Sequence, residues 1–155
     1  MGSISGETLR CAVRAGEIMR RDVEWVREDC PAIAAARVMR DKNVGILPVC
    51  DAVGRVVGVI TDRDIAVRVC AEDRCATTSV HDVMTRDVVS CTPGQSVAFA
   101  EKLMSRHHIT RLVVIDHRRL AGLLSLSDVT QYEPAARVGQ TLGAIAERKY
   151  RPESP

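Results

Sequence analysis

Two residue pairs with matching chemistry recur in this chain. Thr61 and Asp64 fall in the phrase GVITDRD, Gly58 to Asp64, and Ser125 and Asp128 in GLLSLSD, Gly122 to Asp128, 64 residues later. A hydroxyl followed three residues on by a carboxylate can cap a helix start, the hydroxyl taking the N3 amide and the acid reaching back to the N-cap amide. That box favours Glu or Gln at its third place. The shorter aspartate is expected to reach back less easily, which suits it to another partner, a ribose diol facing its two acceptor oxygens. Open amides at the helix start would suit a phosphate. Asp62 and Arg63 lie inside the first phrase and Leu126 and Ser127 inside the second, so only the first carries a local cation. A phosphorylated ligand is therefore expected to prefer the copy with Thr61, Arg63 and Asp64. No nucleophile, base and orienting group form a set, so the reading is of binding without catalysis.

The other reactive residues form no such pattern. Six cysteines, at 11, 30, 50, 70, 75 and 91, contain no CxxC, and Cys70 and Cys75 are too far apart for a usual zinc knuckle. They read as small buried hydrophobes or inert thiols. His81, His107, His108 and His117 lack metal-ligand spacing, and the adjacent pair ends a helix, where a cation suits the dipole. Neither a metal nor an obligatory cofactor is expected. Aromatics make up 3%, and 22 Lys and Arg against 20 Asp and Glu leave +2 with the signs interspersed. Nucleic acid is accordingly not an expected partner. No apolar segment approaches spanning length and MGSISGETLR lacks a signal-peptide core, so a cytoplasmic location with no membrane partner is expected.

Two alike pairs need two alike frameworks, and the chain writes one framework twice. EIMRRDVEWV from Glu17 aligns with DVMTRDVVSC from Asp82 in a register of 65 residues, with Met19 on Met84 and Asp22 on Asp87. The register continues through ILPVCD over RLVVID, and one residue drops out in the turn that follows. Each copy predicts a short helical lead-in, a strand at Val23 to Val26 or Val88 to Cys91, then a helix. Ala32, Ala35, Val38 and Met39 share one face of that helix, as do Val97, Ala100, Leu103 and Met104, and Pro31 suits its N1 position. GILPVC and RVVGVIT, like RLVVI and LAGLLS, are separated by too little chain for a crossover and predict antiparallel hairpins. A second helix begins after Thr61 and after Ser125. The fold class is α/β with mixed, α+β-type sheets, built from two β-α-β-β-α repeats. The expected divisions are an N-terminal extension 1–13, a first repeat 14–72, a linker 73–79, a second repeat 80–133, and a C-terminal helix and tail 134–155.

The duplicated unit, both GVITDRD-type phrases, GILPV before the hairpin and EIM and DVM leading each copy together resemble a tandem pair of CBS domains, the module named after cystathionine beta-synthase. The resemblance implies two units packed through their sheets by a pseudo-twofold, with two clefts that in many relatives bind adenosine-containing ligands. AMP, ADP, ATP and S-adenosylmethionine are the ligands it suggests. Carried onto this sequence, it puts Thr61 and Asp64 in one cleft and Ser125 and Asp128 in the other, hydroxyl to phosphate or ribose and aspartate to the ribose hydroxyls. It also implies a phosphate-binding role for Arg111, whose counterpart is Ile46. Adenine needs an apolar slot; Val23, Val44, Ile46 and Pro48, with Val88, Ile109 and Leu112, are candidate walls. RLVVID departs from the pattern by lacking the proline of ILPVCD.

The expected function is a sensor whose partners are an adenosine nucleotide, a second copy in a twofold homodimer and a separate effector protein. The alternative is a ligand-free dimerisation scaffold that binds a partner protein. Val138, Leu142 and Ile145 at i, i+4 and i+7 would supply it an apolar stripe, to dock on a second subunit or on its own domain. An enzyme would need an active site shared across a dimer.

Overall fold

Period-2 strands and period-3.6 helices alternate along the chain, and the fold keeps that order twice. The computed structural model describes residues 12–147; Cys11, most of the N-terminal extension and the tail after Glu147 lie outside them. The first half runs α1 (Ala15–Ile18), β1 (Val26–Arg27), α2 (Ala32–Lys42), β2 (Ile46–Cys50), β3 (Val56–Thr61) and α3 (Asp62–Ile65), which continues as a π-helical turn over Ala66–Cys70. The second runs α4 (Val80–Val83), β4 (Ser90–Cys91), α5 (Val97–His107), β5 (Arg111–Asp116), β6 (Arg119–Ser125) and α6 (Leu126–Val129), followed by α7 (Ala135–Ala146). Each half makes one three-stranded sheet, its first strand parallel to the second and the second antiparallel to the third. The mixed α/β class and its two-fold repetition are as the sequence predicts.

The local differences have physical causes. β1 starts at Val26 rather than Val23, and β4 at Ser90 rather than Val88, because only these residues find partners on the neighbouring strand: Val26 opposite Val49, Ser90 opposite Val113. Pro31 is the N-cap of α2 rather than its first residue, with ψ 147 in the extended region. Ala32, Ala35 and Met39 bury the expected face, with Val38 partly buried beside them.

Each repeat lends its lead-in to the other. Ala15 and Met19 pack in one core with Val97, Met104, Leu112 and Leu124, whereas Val80, Val83 and Met84 pack in the other with Leu47, Val49 and Ile60. Main-chain pairs seal both exchanges: Arg20 and Leu123 swap two hydrogen bonds of 2.9 Å, and Val59 and Thr85 swap bonds of 2.9 and 2.8 Å. This crossing explains the glycine of the repeated phrase. A Cβ on Gly122 would stand 2.5 Å from the Arg20 carbonyl oxygen and 2.8 Å from the Met19 sulfur; on Gly58 it would stand 2.6 Å from the Met84 sulfur.

The C-terminal helix α7 packs along α5 within the same chain. Its buried stripe is Val138, Thr141 and Ile145, while Leu142, expected in that stripe, is 49% exposed. Thr141 displaces Leu142 because the facing residue is polar: Glu101 is buried and takes a hydrogen bond of 3.3 Å from the Thr141 hydroxyl. Arg137 Nε lies 3.1 Å from Glu101 Oε2, a charge contact off the line of a hydrogen bond. Burial pushes the Glu101 carboxyl above its usual range; Arg137 opposes the rise and Glu133 adds to it. The folded state therefore holds a proton that the unfolded chain has released between the ordinary glutamate pKa and the raised one. Stability from this group is full below the ordinary carboxylate range and declines as pH rises through the raised value. Glu101→Gln is expected to flatten that decline in denaturant titrations run at several pH values; an unchanged slope would mean that Glu101 does not titrate abnormally.

Candidate functional site

The seam between the repeats holds two clefts, each made by the helix start of one repeat and the helix-to-strand junction of the other. The first, about 430 Å3, is lined by Ile46, Thr61, Asp62 and Arg63 on one side and by His108, Ile109, Thr110 and Arg111 on the other, with Ile145 of α7 at its edge. The second, about 220 Å3, is lined by Asn43, Val44 and Ile46 facing Ser125, Ser127 and Asp128, together with Arg20, Leu123 and Arg111. Asn43, Val44 and Ile46 correspond to His108, Ile109 and Arg111 in the 65-residue register, so the clefts are pseudo-symmetric copies. Asn43 and His108 end their helices in the left-handed region, at φ 53 and 54, which turns the chain into the strand that follows.

Aspartate does reach back, contrary to the sequence expectation. Asp64 Oδ2 accepts from Thr61 N at 2.9 Å and from the Thr61 hydroxyl at 2.8 Å, while Asp64 N donates to Thr61 Oγ1 at 3.1 Å. Asp128 and Ser125 close the same box, with Ser125 N to Asp128 Oδ2 at 2.9 Å. The extended backbone of the capping residues, φ −117 at Thr61 and −103 at Ser125, brings the N-cap amide within reach of the shorter acid. The open amides expected at the helix start are largely taken as well. Asp62 N donates to Gly45 O, Arg63 N to Asp62 Oδ1, and Leu126 N to Thr110 O.

Each box spends one carboxylate oxygen, and the second oxygen distinguishes the copies. Asp64 Oδ1 pairs with Arg68 Nη2 at 3.2 Å, and Arg68 also donates to Val83 O at 2.7 Å and Thr85 Oγ1 at 3.1 Å. The π-helical turn after α3 carries Arg68 to this place. Its counterpart is Tyr132, beyond the end of α6 and 53% exposed. No basic side chain among the described residues lies within ion-pair reach of Asp128. Asp128 lines its cleft, whereas Asp64 is held under Thr61 away from the lining of the first.

The sequence candidates divide accordingly. Thr61, Arg63, Ile46 and Arg111 border the first cleft, and Ser125, Asp128, Ile46 and Arg111 the second. Val23 and Pro48 border neither: Val23 is half-buried in the segment between the Arg20 bridge and β1, and Pro48 is enclosed in β2 opposite Val59. Leu112 is core. Sequence reasoning misses Arg20, Asn43 and Arg68, and takes His108 as structural. His108 does make a structural bond, its Nδ1 donating to Ala144 O at 2.9 Å, and it also lines the first cleft. Arg20 follows Met19 in the lead-in, so no spacing signal connects it to Ser125 until the lead-in is seen to cross.

The family model for the CBS domain matches residues 15–70 and again 80–134. The chain belongs to the CBS domain family. This CBS pair is 41% identical over 95 residues to CBS domain-containing protein YhcV of Bacillus subtilis, covering 61% of the chain and 67% of that protein. It is 30% identical over 132 residues to Hypoxic response protein 1 of Mycobacterium tuberculosis, covering 84% and 92%. Among solved structures, the CBS domain pair of protein MJ0100 in complex with 5′-methylthioadenosine and S-adenosyl-L-methionine matches with a TM-score of 0.69 at 25% identity, covering 77% of this CBS pair and 94% of that chain. Among the described residues no helix is long and apolar enough to cross a membrane, and no cluster of His, Cys, Asp and Glu is arranged to hold a metal ion.

Proposed function

We propose that this CBS pair is a non-catalytic, cytoplasmic regulatory module that binds an adenosine-containing ligand such as AMP, ADP, ATP or S-adenosylmethionine, with Asp128 on the ribose hydroxyls. The observation that carries the reading is the second oxygen of Asp128, without a basic partner among the described residues and at the lining of a cleft that also holds Arg20 and Arg111. The apolar slot for adenine is then Val44, Ile46 and Leu123, with main-chain groups for its edge. This reverses the preference expected from Arg63. Asp62 lines the first cleft beside Arg63 and offsets its charge. The adenosine ligands named for MJ0100 support the same ligand class. A ligand held between the repeats favours one arrangement of the seam over others and so biases an effector protein that distinguishes them.

A melting-temperature panel of AMP, ADP, ATP, S-adenosylmethionine and 5′-methylthioadenosine tests this. A ligand at about a hundred times its Kd adds about 2.7 kcal/mol of stability. Absence of any shift across the panel would end the reading and leave the ligand-free scaffold. Arg68→Ala is expected to release Asp64 and tighten ligand binding in the first cleft; unchanged or weaker binding there would mean that Arg68 does not withhold the carboxylate. The module is also expected to be a homodimer in which exposed Ile33 on α2 and Phe99 on α5, at neighbouring positions of corresponding helices, are covered. Light scattering that reports a monomer at micromolar concentration counts against it.

A further inference from the structure

The two clefts share a charge. Arg111 borders both of them, because β5 opens at the seam where they meet. Its counterpart Ile46 also borders both and brings no charge. Each cleft has one further arginine, and each is matched by an acid in the same lining: Arg63 with Asp62 in the first, Arg20 with Asp128 in the second. Beyond those arginine and acid pairs, Arg111 is the remaining arginine of either cleft. It is exposed, and among the described residues it makes no ion pair.

We propose that phosphorylated adenosine ligands in the two clefts compete for Arg111, so that the first to bind weakens the second, while phosphate-free ligands escape this penalty. The inference rests on the adenosine reading above. A phosphate monoester carries about −1.5 to −2 charges near pH 7. A single guanidinium cannot neutralise two of them, and its planar fork engages one phosphate at a time in the favoured bidentate geometry. A second phosphate therefore enters a cleft whose surplus cation is already committed, and meets the first phosphate across it. A ligand without phosphate makes no claim on Arg111, so its two binding events differ only by what the clefts differ in otherwise. The chain thus discriminates by phosphorylation through the number of ligands it holds.

Calorimetry with AMP and 5′-methylthioadenosine on the native protein and on Arg111→Gln tests the proposal, with melting temperatures to check folding and Arg111→Met as the second variant. The expected result is that the two AMP events differ in Kd by about tenfold more than the two 5′-methylthioadenosine events do. Arg111→Gln, which removes the contested guanidinium from both clefts at once, should cut that excess, chiefly by weakening the first AMP event. Equal spacing for the two ligands in the native protein overturns the proposal and leaves the adenosine reading standing, as does an excess that survives in both Arg111 variants. No heat and no melting shift from either ligand overturns both.

Discussion

Gly122→Val is expected to destabilise the fold by about 3 kcal/mol or more. The Arg20 carbonyl oxygen would be 2.5 Å from the new Cβ and the Met19 sulfur 2.8 Å. The sulfur can rotate away, but the carbonyl is main chain held by the Leu123 amide at 2.9 Å. Relief requires the crossing segment to lift, which breaks the Arg20 and Leu123 pair and loosens Ala15 and Met19 from the second core. The sign of the effect is diagnostic. In an open strand, valine in place of glycine would be neutral or stabilising by up to about 1 kcal/mol on β-propensity. Gly139, inside α7, supplies the contrast, because a Cβ added there would meet nothing within 4 Å. Gly139→Ala should stabilise by about 0.5–1 kcal/mol. Denaturant unfolding of both variants decides the matter, and a Gly122→Val midpoint at or above that of the native protein would refute the crossing.

Asp128→Ala is expected to weaken the tighter adenosine-ligand event by about one to two decades, the loss of a charged acceptor from two ribose hydroxyls being about 1.5–3 kcal/mol. Asp64→Ala should leave that event nearly intact, because Arg68 and Thr61 already occupy the Asp64 oxygens. Both variants lose a capping box, which costs about 1 kcal/mol of stability in each, and Asp64→Ala also loses the Arg68 ion pair. That shared loss makes the pair a controlled comparison: stability falls in both, and affinity in one. Calorimetry that finds the larger loss at Asp64 would restore the preference suggested by Arg63 and remove Asp128 from the site.

Much of the architecture is legible in the sequence because its signals are local. Hairpins announce themselves by two apolar runs too close for a crossover, and α2 and α5 by an apolar face that both copies keep. The hydroxyl and acid three residues apart mark both helix starts correctly. Whether aspartate can close the box is not legible, because reach depends on the backbone angle of the capping residue and not on side-chain length alone. Periodicity misassigns the stripe of α7 at Leu142 because it cannot see that the helix opposite presents a buried glutamate, which Thr141 can satisfy and leucine cannot.

The linear chain by itself determined that one unit is written twice, where its strands and helices fall within a few residues, and which two short phrases are candidates for a ligand. These follow from periodicity and turn chemistry, which act between neighbours in sequence. Only the tertiary structure decided that the lead-ins are exchanged, and much that is particular to the site descends from that. The exchange brings the Val83 carbonyl and Thr85 hydroxyl to Arg68, fixing the arginine that pairs with Asp64 from the same helix, and it brings Arg20 into the cleft that Asp128 lines. The seam likewise sets Arg111 between two clefts where the sequence shows a lone arginine. The physical reason is that a carboxylate's availability and a cation's field depend on which groups lie within a few ångströms: the i,i+4 spacing supplies Arg68 locally, but the Val83 and Thr85 acceptors that hold it, and the walls that complete each cleft, come from the other repeat, beyond the reach of any local pattern.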